Sequence, residues 1–246
     1  MLVAAIDTAT PTLSCALLEL RGGAVEVLTT RTDRQSGPGV GHGIRLPGAL
    51  TDLLGALGRK VTDVEGFAIG LGPGSFTGLR IGLATWKGLA YANRRPITGV
   101  SSLAAMALEA AAAEPGRDAL LVPMLDARKG EVYAGFYRVA GQEVTALRPD
   151  EALPPEAVAA RIEGLGAAVG FGEGYAAHAG VLASVLPLLE GAPATPSGDA
   201  VGLLAAPRLV SAPFDDRALF ALEPHYVRLS EAEMKFPKGL GPGAER

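Results

Sequence analysis

The sequence predicts an α/β protein built of two similar halves, on three observations. Apolar runs in residues 2–113 follow the order strand, strand, strand, helix, strand, helix, strand, helix. From residue 119 the opening recurs: a strand ending at an aspartate, then a hairpin. Between a strand and a long helix lies the densest glycine stretch, Gly70-Leu71-Gly72-Pro73-Gly74-Ser75-Phe76-Thr77-Gly78-Leu79-Arg80-Ile81-Gly82.

Taken in order, residues 2–6 form a continuous apolar run that reads as a buried strand, ending at Asp7-Thr8-Ala9-Thr10-Pro11. Residues 13–20 and 24–30 supply two more strands around the Arg21-Gly22-Gly23 turn. A polar loop over 35–43 leads to an amphipathic helix marked by Leu46, Leu50, Leu53, Leu54 and Leu57. Residues 64–69 are a fourth strand and 96–100 a fifth. Ser101 caps a helix over 103–113, which ends before Pro115-Gly116. Three antiparallel strands followed by strands with helical crossovers are what a ribonuclease-H-like half needs.

The second half offers strands at 119–125, 131–139, 143–146 and 167–171, with helices over 155–162 and 175–189. A helix over 200–210 is capped by Pro196-Ser197-Gly198-Asp199, and 223–228 reads as a short closing strand. The expected division is an N-terminal lobe at 1–102 and a C-terminal lobe at 103–236, its last helices packing back on the first lobe. The glycine- and proline-rich 237–246 is expected to be a disordered tail.

The glycine loop invites a phosphate-cradle reading, because free amides and the helix dipole converge at a helix start. It has neither the Gly-Lys-Ser/Thr end of a P-loop nor Gly-x-Gly-x-x-Gly spacing, and a purely structural turn is the competing reading. Ser75 or Thr77 can cap the helix that follows. In that helix small residues fall four apart in two files, Gly78 with Gly82 and Ala84 with Gly88 and Ala92. A helical glycine costs about 1 kcal/mol against alanine, so these positions imply close approach by another backbone, either the chain's own sheet or a partner helix.

Composition narrows the function. The 246 residues carry 22 Lys and Arg against 26 Asp and Glu, a net charge of −4. The basic residues are scattered apart from Arg94-Arg95 and Arg128-Lys129, which disfavours a stand-alone RNA-binding module. A single cysteine, Cys15, excludes an internal disulfide and reads as a buried small residue. No basic leader precedes the first apolar run and charges interrupt the long helix, so the expectation is a cytoplasmic protein with no membrane contact. The histidines, His42, His178 and His225, have no ligand spacing and read as loop or surface residues, although the His42 loop flanks the presumed cleft.

Two halves with facing acidic turns describe the actin-like ATPase architecture, in which the turns embrace phosphates. Together Ala5-Ile6-Asp7-Thr8-Ala9-Thr10, the 70–82 stretch, Gly99-Val100-Ser101 and Asp126-Ala127-Arg128-Lys129-Gly130-Glu131-Val132-Tyr133 resemble the bacterial TsaB (YeaZ) family. The resemblance implies participation in making threonylcarbamoyladenosine on tRNA, at the adenosine 3′ of the anticodon. It implies a non-catalytic scaffold paired with a catalytic paralogue, TsaD, and joined by the ATPase TsaE, with tRNA bound only within the complex.

In that paralogue a His-x-x-x-His pair follows a Gly-Val strand end and holds metal from one helical face. Here Ser102 and Met106 stand at those positions, and neither suits a hard catalytic cation. The resemblance therefore implies no catalytic residue and no metal site. Asp7, Thr8, Thr10, Asp126, Arg128, Gly172 and Gly174 form a candidate vestigial nucleotide site. Asp7 with Asp126 is a candidate carboxylate pair for water-mediated magnesium, the alternative being that both satisfy turn amides. No cofactor is required, and weak binding of ATP with magnesium is left open. The candidate partner surface comprises Leu50, Leu54, Gly78, Ile81, Gly82, Thr85, Gly88 and Leu89, used by the paralogue or by a second copy in a homodimer. The rival reading is an independent magnesium-ATPase or small-molecule kinase using Asp7 and Asp126.

Overall fold

A computed structural model of the chain describes residues 1–34, 41–114, 116 and 119–228. The first half comprises β1 (Leu2–Asp7), β2 (Thr12–Arg21), β3 (Ala24–Arg34), α1 (His42–Ala56), β4 (Gly66–Gly70), α2 (Phe76–Asn93), β5 (Ile97–Val100) and α3 (Ser102–Ala113). Its five strands lie in the order β3-β2-β1-β4-β5. β1 is antiparallel to β2 and parallel to β4, which is parallel to β5. This is the ribonuclease-H-like arrangement that the element order predicts.

All six residues of β1 are buried, which requires cover on both sheet faces. On one face α1 and α2 pack Leu46, Leu50, Leu54 and Trp86 against Ile6, Phe67 and Ile69. The Trp86 indole finds its polar partner in Ala4 O at 3.2 Å. On the other face α7 (Gly198–Leu209) lays Ala200, Val201 and Ala205 over Val3, Ala5, Ala16 and Ala68. Small residues on both sides let that helix sit close to the sheet. Cys15 is wholly buried, and burial pushes its thiol up to about 12.

The second half contains β6 (Leu120–Arg128), β7 (Glu131–Ala140), β8 (Glu143–Leu153), α4 (Val158–Ile162), β9 (Ala168–Phe171), α5 (Glu173–Ala177) and α6 (Ala179–Leu182). Its sheet runs β8-β7-β6-β9, with β6 antiparallel to β7 and parallel to β9. α3 covers one face through Leu103, Met106, Ala107 and Ala110. α3 and α7 also touch each other, so these two helices form the layer between the sheets. A short α8 (Asp216–Ala221), capped by Asp215, packs on α2 and has no counterpart in the sequence reading.

Several expected boundaries change. The single helix read over 175–189 is α5 and α6, then an irregular stretch. His178 leaves helical geometry at φ −123°, ψ 24°. Beyond it the chain turns back to the sheet edge, where Leu188 bridges Gly170 in parallel. The strand expected at 143–146 continues to Leu153. Residues 223–228, expected as a short closing strand, join neither sheet and are irregular, with Tyr226 N donating to Pro224 O at 3.1 Å in a tight turn. The expected tail at 237–246 lies outside the described residues.

Candidate functional site

The glycine loop spends its amides inside the protein. Leu71 N donates to Val100 O at 2.8 Å, Gly72 N to Ser102 Oγ at 3.1 Å and Ser75 N to Ala9 O at 2.6 Å. Ser75 Oγ accepts from Gly78 N and caps α2, as the sequence predicts for one of its two candidate caps. These bonds tie β1, β5 and α3 to one turn and support the structural reading of the loop.

Beside this turn a cleft of about 840 Å³ opens between the lobes. Its first-lobe wall includes Thr10, Pro73, Phe76 and Arg80, and its second-lobe wall Asp126, Arg128, Tyr133 and Glu173. Asp7 is not part of that lining. It is 1% exposed and points into the interior, where Oδ2 accepts from Ser102 Oγ at 2.6 Å and Oδ1 from Ala9 N at 2.7 Å. Burial raises its carboxyl to about 6 against these two hydrogen bonds, which pull the other way. Thr8 is buried too, its hydroxyl without a hydrogen-bond partner, whereas Thr10 reaches the cleft edge and accepts from Thr12 N.

His42 differs from the loop histidine expected. It is the first residue of α1, 7% exposed, with Nε2 donating to Thr10 O at 2.8 Å and Nδ1 accepting from Arg45 at 3.2 Å. Burial lowers its basicity, and the imidazole works as a neutral strut between α1 and the β1–β2 turn.

At the second-lobe turn Arg128 and Lys129 both take left-handed backbone, with φ of 64° and 54°. Asp126 Oδ1 accepts from Arg128 N at 2.8 Å, and its Oδ2 lies 3.3 Å from Arg128 Nη1. The cleft wall thus includes Asp126 and Arg128 but not Asp7, so the two aspartates do not face one cavity. Gly172 and Gly174 flank Glu173 at the start of α5. A side chain on either would strike the backbone of Met124 or Leu125, so they serve the close packing of that turn on β6. Glu173, which the sequence reading passes over, reaches the cleft, and burial raises its carboxyl.

The other unforeseen lining is the chain's own segment 223–228. His225 N donates to Leu71 O at 2.8 Å in the first lobe. Tyr226 packs its ring against Phe76, centroids 5.3 Å apart, and its hydroxyl accepts from Arg80 Nε at 2.9 Å. Arg80 in turn stacks 3.8 Å over Phe76. On the second lobe Arg228 donates to Ala127 O at 3.2 Å and to Glu131 at 2.8 Å. The segment is a strap that crosses the cleft and holds both walls. Phe76 and Arg80 stand one helical turn apart on α2 and stack on each other, but nothing in that spacing points to Tyr226 as the third member.

Comparison with known proteins places this architecture. Residues 39–186 match the family model described as TsaD, tRNA N6-adenosine threonylcarbamoyltransferase. The tRNA threonylcarbamoyladenosine biosynthesis protein TsaB of Bacillus subtilis is 34% identical over 153 residues, 61% of this chain and 61% of that protein. Its namesake from Escherichia coli is 38% identical over 138 residues, 56% and 55% of the two chains. The structure of YeaZ from Pseudomonas aeruginosa superposes with a TM-score of 0.70 at 29% identity, covering 92% of this chain and 99% of that one. The chain belongs to the TsaB (YeaZ) family. The matches to the two curated TsaB proteins span little more than half of their lengths.

Ser102 and Met106, the two positions that the sequence reading sets against the paralogue's histidines, are both buried. Ser102 is engaged with Asp7 and Gly72 N, and Met106 sits in the core with Leu125 and Phe171.

The eight candidate partner residues divide. Leu50, Leu54, Gly78 and Gly82 are buried within the chain. A side chain on Gly78 would strike the Thr8 carbonyl oxygen and one on Gly82 the Thr8 side chain, so what approaches these glycines is the β1–β2 turn and not a partner helix. Ile81, Thr85 and Leu89 are half-buried and Gly88 is exposed with open space above it. Ala84 beside them is exposed, and the adjacent α1 turns out Ile44, Gly48, Thr51 and Gly55 on one face. Ile44 is 72% exposed.

Proposed function

We propose that the chain is a non-catalytic scaffold and activating subunit for making threonylcarbamoyladenosine on tRNA. It pairs with a TsaD-like paralogue that transfers the threonylcarbamoyl group to the adenosine 3′ of the anticodon, with a TsaE-like ATPase joining them. The observation that carries this reading is the similarity to two curated proteins named for that biosynthesis, at 34% and 38% identity.

The residues support the scaffold role. Ser102 and Met106 replace an imidazole pair, and Asp7, the first-lobe acid that an independent ATPase would need at the cleft, is committed to Ser102 and Ala9. The acidic balance leaves tRNA contact to the complex as a whole. Among the described residues no helix is long and apolar enough to cross a membrane, which accords with work in the cytoplasm.

The partner surface in this reading is the outer face of α1 and α2, centred on Ile44, Gly48, Ala84 and Gly88. Small side chains there let a helix approach closely. The same face pairs two copies as a homodimer when the paralogue is absent. Gly88→Leu should abolish co-elution with the paralogue and with a second copy on size exclusion while the far-ultraviolet dichroism stays unchanged. Intact complexes would overturn this surface.

A further inference from the structure

A second cavity, of about 380 Å³, lies where β5, the start of α3, β8 and α7 meet. It has two cationic side chains in its walls, Arg148 from β8 and Arg208 from α7. Arg148 Nε is buried and has no hydrogen-bond partner. Arg45 Nε and Arg95 Nε are unpartnered in the same way, so it is the convergence of two guanidiniums on one cavity, rather than that atom alone, that points to an acceptor entering from outside. Arg208 donates a long 3.3 Å bond to Gly99 O and is otherwise exposed. The N-cap of the twelve-residue α3, Ser101, faces the same space, so the positive end of a helix dipole adds to the field.

The cavity's one acid offsets one of these two charges and leaves the walls net positive. Asp150 is 8% exposed and already held on both oxygens: Oδ2 accepts from Ser101 Oγ at 2.7 Å and Oδ1 from Tyr137 OH. His225 Nδ1 stands 3.6 Å from Oδ2. Leu71, Val144 and Leu204 give the remaining wall an apolar character. We infer that this cavity binds an oxyanion, the carboxylate or phosphate of a small ligand, between Arg148 and Arg208. Arg is suited to this because its planar fork pairs with either group. His225 lines both this cavity and the interlobe cleft, so an anion held here sits against the strap that crosses the cleft.

The test is calorimetric titration of the full chain, at fixed ionic strength in chloride, with inorganic phosphate and separately with acetate. Saturable one-to-one binding of at least one probe is expected, and the tighter probe identifies the head group. Affinity should fall about tenfold or more in both Arg148→Gln and Arg208→Gln, as for loss of a charge-assisted hydrogen bond. Arg59→Gln, an exposed cation in a distant loop, should bind as the wild type does. Arg208 lies on an exposed helix face, so its variant reports even if Arg148→Gln folds poorly. No saturable heat with either probe, binding unaffected in Arg208→Gln, or an equal loss in Arg59→Gln would overturn the site.

Discussion

Ser102 Oγ donates a 2.6 Å hydrogen bond to Asp7 Oδ2, joining the start of α3 to the end of β1 through the protein interior. Both side chains are buried and neither lines the interlobe cleft, so the bond ties the end of β1 to α3 within the core.

This pairing has a pH signature. Asp7 titrates near 6 in the folded protein and near 3.8 when unfolded, so the folded state favours the protonated acid. Its contribution is fully present below about pH 4 and is lost as pH rises through 6, a change of about 3 kcal/mol. Urea unfolding across pH 4–7 should show this downward slope in the wild type and its absence in Asp7→Asn. Ser102→Ala, which removes one donor from the buried carboxylate, should cost about 1–3 kcal/mol at pH 7.

The two small-residue files of α2 should respond oppositely to alanine. Gly82→Ala drives a methyl into Thr8 and should destabilise the chain by about 1–3 kcal/mol. Gly88→Ala meets open space and should raise stability by about 1 kcal/mol. Thermal unfolding of the two variants checks the assignment of one file to the core and the other to the surface.

Release of the strap should be local. Tyr226→Ala and Arg228→Ala each remove an anchor at one wall of the cleft. Hydrogen exchange at the His225 amide, bonded to Leu71 O, should accelerate in both, while global stability falls by only about 1 kcal/mol because these contacts lie at the surface or are only partly buried. Unchanged exchange at that amide would show that the strap is held by other contacts.

Tyr137→Phe tests the buried acid between the lobes. Asp150 would keep Ser101 and His225 as partners but lose the phenol. A cost of about 1–3 kcal/mol in urea unfolding is expected.

The fold was legible in the sequence wherever periodicity and caps agreed. The continuous apolar run of β1, the Arg21-Gly22-Gly23 hairpin and the Ser75, Ser101 and Ser197 caps all sit where local chemistry puts them. The region over 175–189 misled because its apolar spacing fits a helix, while the pull of the sheet edge at Gly170 is a tertiary effect. The site was legible in part. Asp7, Thr10, Asp126 and Arg128 were identifiable as turn residues, but the direction in which Asp7 points depends on Ser102, 95 positions away. His42 and the strap were missed for the same reason: their partners, Thr10, Leu71 and Arg80, are distant in the chain. Glycine spacing revealed close approach on α2 but not which backbone approaches.

The central claim is that the chain acts in tRNA modification without using its own cleft for chemistry. It is tested most directly by mass spectrometry of nucleosides from bulk tRNA after depletion of the protein in its own host. The account predicts loss of threonylcarbamoyladenosine, restored equally by the wild type and by Asp126→Ala, a change in the cleft wall, expressed to the same level. An unchanged nucleoside level would contradict the assignment to this modification, and rescue by the wild type alone would contradict the scaffold role.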